Sequence, residues 1–201
     1  MELSTVYKRL KFSVLFTVCI LTVTKTSAQE PTPLMQVRLT TQEAQVPLVM
    51  AMPGLVTTHT PIAEGSSYAL SMKVHADGFL YLLYELPDGQ IELIPFTALL
   101  RRKGRVRKGE TIRFPRQSAE WFSVDETGNR DALGILFTSS PQKRRMLTRS
   151  VNTSPGSFSN KVQSVHTSAN VTYRAEEQFI ALSEHPDEDF KAVILISIDK
   201  K

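Results

Sequence analysis

Apolar and polar residues alternate most clearly from Tyr68 to Val74, where Tyr68, Leu70, Met72 and Val74 are interleaved with Ala69, Ser71, Lys73 and His75 follows. A period of two predicts a strand with one buried and one wet face. Asp77-Gly78 marks a turn, and the run Phe79 to Leu86 (FLYLLYEL) is apolar at both parities, which predicts a central strand covered on both sides or aromatics lining one surface while leucines enter the core. Pro87-Asp88-Gly89 predicts a hairpin into Ile91–Phe96, because proline presets φ and glycine accepts the left-handed position. These three strands are expected to form a meander.

Shorter strands are predicted on either side. Met35–Leu39 and Val46–Met52 precede the meander, with Pro47 restricting the second to an edge, a strand start or a bulge. Thr111–Phe114, Ala119–Val124 (AEWFSV) and Ala132–Thr138 (ALGILFT) follow it, and Phe190–Ile198 (FKAVILISI) is the most β-branched stretch of the chain. Turn-rich spacing of this kind predicts a mostly β fold, an antiparallel sandwich or partly open barrel of seven to nine short strands. One short helix is expected over Glu176–Leu182. Between Ser139 and Tyr173 the composition shifts to Ser, Thr, Asn, Gln and Lys around Pro155-Gly156, which reads as a long loop or weakly ordered segment.

The first 28 residues have a different character. Lys8, Arg9 and Lys11 precede the apolar run Phe12–Val23, and Thr26-Ser27-Ala28 offers small residues for cleavage before Gln29, the three parts of a secretory signal in order. The run covers about 18 Å as a helix, short of a hydrocarbon core of about 30 Å, so a cleaved signal is expected and no transmembrane segment after it. Cys19 is the only cysteine and lies inside this run, preceded by Phe16, Thr17 and Val18 rather than the small residues of a lipid-attachment site. A chain cleaved at Ala28 has no thiol, which excludes a disulfide framework, a cysteine nucleophile and thiolate metal sites. The expected location is extracytoplasmic, periplasmic or secreted. About 170 residues remain, enough for one domain. They divide into a tether and edge strands (29–64), a β core (65–141), a polar flexible segment (142–173), and a short helix with a C-terminal core strand (174–201).

Removing residues 1–28 takes four basic groups and one acid from the 24 and 20 of the whole chain, so the formal charge of +4 falls to +1. What remains is segregated. Arg101–Arg116 holds eight basic residues and one acid, Lys143, Arg144, Arg145 and Arg149 form a second basic group, and Ala175–Phe190 holds six acids with no Lys or Arg. Density of the first kind attracts phosphates, so Arg101, Arg102, Lys103, Arg105, Arg107 and Lys108 are the candidate anion contacts. A solvated loop guarding a strand edge is the competing reading. Without interleaved aromatics, nucleic acid is the weakest partner.

The run Gly65–Pro141 resembles a bacterial envelope module known as domain of unknown function 4384. The resemblance is carried by DGFLYLLYELPDGQIELIPF, by the step Val106-x-x-Gly109-Glu110 before a strand and Pro115, and by Gly128, Asp131 and Leu133 leading into LFTSSP. It implies an extracytoplasmic β module and no activity. The chain departs from it in the strongly basic loop Phe96–Lys108, where members often carry an asparagine-bearing loop.

No residues announce catalysis, a metal or a cofactor. His59, His75, His166 and His185 fall in four separate segments, and no HExxH, phosphate-cradling glycine loop or serine elbow is present. His75 with Asp77 is better read as turn chemistry, and His185-Pro186-Asp187-Glu188-Asp189 as a solvated acidic turn, because it lacks the spaced acids of a calcium loop. Asn152-Thr-Ser and Asn170-Val-Thr match the glycosylation pattern, which matters only in a eukaryotic secretory pathway. The leading expectation is therefore an exported, non-catalytic β module of the bacterial envelope, contacting an envelope protein or an anionic surface. The alternative is an extracytoplasmic hydrolase whose site is assembled only in the fold, from carboxylates and serines that spacing along the chain does not reveal, and a concave pocket with two or more converging acids, or an acid with a histidine, would mark it.

Overall fold

The computed structural model describes residues 30–58, 61–86, 88–94, 104–117, 120–124, 130–165, 167–175 and 178–199. The signal expected over residues 1–28 lies outside them. Among the described residues the chain forms two seven-stranded sheets and two helices. In chain order these are β1 (Thr32–Thr41), β2 (Gln45–Val46), β3 (Leu48–Met52), β4 (Leu55–Thr58), β5 (Ser67–Val74), β6 (Gly78–Glu85), β7 (Ile91–Leu93) and β8 (Arg105–Val106). They continue with β9 (Thr111–Phe114), β10 (Phe122–Ser123), β11 (Arg130–Thr138), α1 (Arg144–Thr153), α2 (Phe158–Gln163), β12 (Val171–Ala175), β13 (Phe179–Ser183) and β14 (Lys191–Asp199).

The first sheet runs β10-β5-β1-β13-β12, with β2 beside β1 and β9 beside β5; the second runs β3-β4-β14-β11-β6-β7, with β8 beside β6. The fold is a sandwich rather than a barrel. There are more strands than the seven to nine expected because short strands share one edge of a long one. β7 and β8 pair with opposite halves of β6, and β9 and β10 divide β5 in the same way.

Alternation explains how the sheets face each other. Val37, Leu39, Leu70, Met72 and Val74 of the first sheet meet Leu80, Leu82, Ile135, Phe137, Ile194 and Ile196 of the second in one buried core. The opposite parity of the second sheet is apolar too. Tyr81, Leu83, Leu136, Val193 and Leu195 point away from the sandwich and are covered by Leu147 and Val151 of α1 and Phe158 and Val162 of α2. The doubly apolar run FLYLLYEL is thus a strand covered on both sides. Gly134 lets α2 approach, since a Cβ there would lie 3.1 Å from Val162 Cγ1 and 3.2 Å from Leu83 Cβ.

Several expectations are corrected. The turn at His75–Asp77 does not close a hairpin: β5 lies in one sheet and β6 in the other, so only β6 and β7 keep the meander's antiparallel pairing. Gly78 sits where the chain crosses, with Phe137 and the Thr138 carbonyl both 2.6 Å from where a Cβ would be. Residues 139–173 are not a loop. Leu147/Val151 and Phe158/Val162, each four apart on one helix face, bury two helices against the second sheet. Of the helix expected over Glu176–Leu182 the described residues 178–182 are not helical, because Phe179–Ser183 is the strand between β1 and β12 and that pairing outweighs local propensity. Trp121 and Phe79, apolar enough to be expected in the core, are only half-buried, whereas Leu83 and Ile194 are fully buried.

Polar side chains fasten the helices to the sheet. Asn152 accepts from the Ile91 N–H (2.7 Å) and donates to the Ile91 carbonyl (2.8 Å), and Arg144 donates to the Leu93 carbonyl (3.3 Å), so α1 caps the outer edge of β7. This engages the Asn152 amide in the fold rather than leaving it as a glycan acceptor. The Gln142 N–H donates to Tyr81 Oη (2.6 Å), tying down the segment that leads into α1.

Leu83 packs inside this helix-covered layer, so Leu83→Ala should lower the unfolding free energy by about 2–5 kcal/mol, the range for truncating a buried leucine. Urea unfolding measures it; a loss under about 0.5 kcal/mol would place Leu83 outside a packed layer.

Candidate functional site

The basic loop is anchored at one end of the sandwich by its own backbone. β8 pairs with the start of β6 (Gly78 with Val106, Phe79 with Arg105). The following turn is clasped to the end of β5, with the Val74 N–H on the Glu110 carbonyl and the Gly109 N–H on the Val74 carbonyl. Two acids serve this turn as caps. Asp77 Oδ1 accepts from the Lys108 N–H (2.8 Å) and Glu110 Oε2 from the Arg107 N–H (3.1 Å). Arg105, Arg107 and Lys108 are therefore held in place by main chain while their side chains stand exposed. Arg101, Arg102 and Lys103 lie outside the described residues.

His75 lies beside this turn, and its N–H donates to the Leu34 carbonyl (2.8 Å). Its imidazole is held below the ordinary 6.5, first by burial and then by the positive charges of Lys73 and Lys108. Asp77 bonds the neighbouring loop, so the polar pair anticipated at this turn is divided between two tasks, and His75 Nε2 has no hydrogen-bond partner among the described residues.

Lys73 leads from the loop onto a second group of cations that sequence distance conceals. With Val37, Leu39, Leu70, Met72, Ile112, Phe114, Val171 and Tyr173 turned to the core, the alternate positions of the first sheet face outward. Register places Arg38, Ser71 and Arg113 in one row and Gln36, Lys73 and Thr111 in the next, with Gln36 continuing to Ile180 and Arg174. Four of these outward residues are cations, and no outward strand position of the described sheet holds a carboxylate. Arg38 and Arg113 are two strands apart, about 10 Å, slightly beyond the screening length of about 8 Å at physiological salt, so their fields reinforce one another chiefly at lower salt. Arg38 Nε donates to Gln178 Oε1 (2.8 Å). Arg113 donates to the carbonyls of Pro115 (2.7 Å) and Gln117 (2.6 Å), and its guanidinium carbon stands 4.7 Å from the centre of the Trp121 ring. The polar alternation in Tyr68–Val74 was the one signal that could have found this face, since it already put Lys73 on the wet side.

Two of the hollows among the described residues offer concave shape. One of about 420 Å³ is lined by Thr41–Glu43, Gln45–Pro47, Pro61–Ala63 and Gly65–Ser67, with Glu43 as its single ionisable group. The other, about 200 Å³, lies among Thr138–Ser140, Gln142, Ser168 and Asp189–Lys191. There Ser139 Oγ donates to Asp189 Oδ1 (2.9 Å) and accepts from the Phe190 N–H (3.2 Å), so serine and carboxylate are engaged in holding the start of β14. Neither lining contains a histidine or a second acid. The acidic turn leaves Glu184, Asp187, Glu188 and Asp189 exposed, and among the described residues no group of three His, Cys, Asp or Glu is placed to hold a metal.

Among known proteins, residues 62–141 match the family described as Domain of unknown function (DUF4384). No curated protein and no solved structure matches the chain.

Because burial and two lysines disfavour the charged imidazole, the fold binds the His75 proton less readily than the unfolded chain. The associated stability is complete above pH 6.5 and is lost as pH falls from there through the lower folded value. NMR titration should find His75 below 6.5, and adding an anionic ligand that neutralises Lys73 and Lys108 should move it upward.

Proposed function

Residues 62–141 belong to a family whose description assigns no activity, and from that premise we propose that the chain is an exported, non-catalytic β module of the bacterial envelope that contacts anionic surfaces. One observation carries the reading. Arg105, Arg107 and Lys108 at the loop end adjoin, through Lys73, an outward sheet face bearing Arg38, Arg113 and Arg174 with no carboxylate at its described strand positions. A solvated loop that only guards an edge needs no such continuation. The export part of the reading rests on the signal-like residues 1–28, and among the described residues no helix is long and apolar enough to cross a membrane.

Each cation near an anionic membrane surface contributes about 1 kcal/mol, so replacing three should weaken binding on the order of a hundredfold. The chain should bind anionic phospholipid vesicles at low salt, release them as salt rises, and bind neutral vesicles little. The triple variant Arg105→Gln, Arg107→Gln, Lys108→Gln should show that loss in a vesicle co-sedimentation assay with an almost unchanged unfolding midpoint, because exposed charges add little to stability. Failure of the unaltered chain to bind at low salt would remove the proposal.

A further inference from the structure

The hollow of about 200 Å³ at the start of β14 contains one carboxylate, Asp189, and one ammonium, Lys191, that do not neutralise each other. The two residues lie about 6.6 Å apart along extended chain, and Phe190 between them is buried in the core. Alternation turns both charged side chains to the same side. Lys191 is half-buried and has no hydrogen bond or ion pair among the described residues. Burial holds its ammonium below the ordinary value, with no carboxylate offsetting that cost.

Asp189, by contrast, is fixed in place. Ser139 Oγ (2.9 Å) and Ser140 Oγ (3.3 Å) both donate to its Oδ1. Ser139 is held in turn by Phe190, whose N–H donates to the Ser139 hydroxyl (3.2 Å) and whose carbonyl accepts the Ser139 N–H (3.1 Å). Thr138 Oγ1 and Gln142 Nε2 donate to the Ser140 carbonyl (2.7 and 3.3 Å), so the second serine is secured as well. Asp189 Oδ2 accepts no hydrogen bond among the described residues. The Ser168 N–H donates to the Lys191 carbonyl (3.0 Å), and the Ser168 hydroxyl, also without a partner among the described residues, lines the same hollow.

A simple anion here would satisfy Lys191 and meet Asp189 as a like charge, and a simple cation would do the reverse. A molecule that carries both charges meets each with its opposite. Sites for drug-sized ligands run from about 300 to 1,000 Å³, so this hollow suits a smaller occupant. We propose that it binds a small zwitterion of the α-amino-acid class, with the ligand ammonium on Asp189 Oδ2 and the ligand carboxylate on Lys191 Nζ and Ser168 Oγ. Both ends then make charge-assisted hydrogen bonds, the strong kind, and the part-desolvated lysine gains the counter-charge it lacks. The hollow shares no residue with the cationic face or the loop end, so it does not depend on what they bind.

Titrating the isotope-labelled full chain with L-alanine should shift the amide resonances of Ser139, Ser140, Ser168 and Lys191 to saturation. Acetate and ethylammonium, each carrying one of alanine's two charges, should bind about tenfold more weakly or worse. Asp189→Asn and Lys191→Met should each cost about the same factor with the unfolding midpoint retained, whereas Lys191→Arg should keep most of the binding. Should Asp189→Asn fail to fold, Lys191→Met and the acetate comparison still decide. The triple variant Arg105→Gln, Arg107→Gln, Lys108→Gln should bind alanine as the unaltered chain does, which separates this site from the anionic contact. No saturable shift with alanine overturns the proposal, as does acetate binding equally well, or alanine binding that survives Lys191→Met.

Discussion

Strands β6, β11 and β14 are apolar on both faces, and a sheet of that kind persists in water only when both faces are covered. The first sheet covers one. The other carries Tyr81, Leu83, Leu136, Val193 and Leu195, and each such side chain contributes about 1.5–3 kcal/mol when buried. Five of them together match the whole net stability of an ordinary domain, about 5–15 kcal/mol. The segment 144–163 is therefore an obligatory second cover, even though only Leu147, Val151, Phe158 and Val162 supply its buried surface. Gly134 belongs to the same constraint, because a side chain there would push α2 off Leu83.

From this cover follows the asymmetry of the molecule. The first sheet carries no helix on its other face, and apart from Ala69, Ile180 and Leu182 the outward positions of its long strands are polar and can collect Arg38, Lys73, Arg113 and Arg174. Tyr173 links the two sheets from this side: it stacks on Phe179 and its hydroxyl accepts the Val193 N–H (3.0 Å). The helices use their polar side chains to secure β7, and Lys161 reaches the Gly89 carbonyl (2.8 Å), so the hairpin after β6 is held from outside. The cationic loop end is held by main-chain pairing to β6 and β5, which leaves its side chains free to act.

Much of this was legible in the chain, and the failures have physical causes. FLYLLYEL leaves open a strand covered on both sides, which it is. Pro47 predicts an edge, a strand start or a bulge and stands between β2 and β3, so the strand expected over Val46–Met52 is divided between the two sheets. Gly89 takes the left-handed conformation its turn required (φ +78°). A period of two says which side chains are buried but not which sheet they belong to, so β5 and β6 read as a hairpin when they lie on opposite sides of the core. The helices escaped notice because each shows the core only two residues four apart, within stretches otherwise rich in Ser, Thr, Asn and Arg. Glu176–Leu182 looked helical because local propensity is visible in sequence and the vacancy beside β1 is not. The cations of the loop were conspicuous as a run, whereas those of the sheet face are spread from Arg38 to Arg174 and become neighbours only through register.

Trp121 is the single tryptophan and stands against Arg113 at the border of the cationic face, so it reports on what approaches that face. The most direct measurement is its fluorescence during titration with anionic vesicles whose headgroups carry a spin-label quencher. Contact through the first sheet predicts progressive quenching that high salt reverses and that neutral vesicles with the same quencher do not produce. Vesicle binding that leaves Trp121 unquenched would place the contact on another surface and contradict the account.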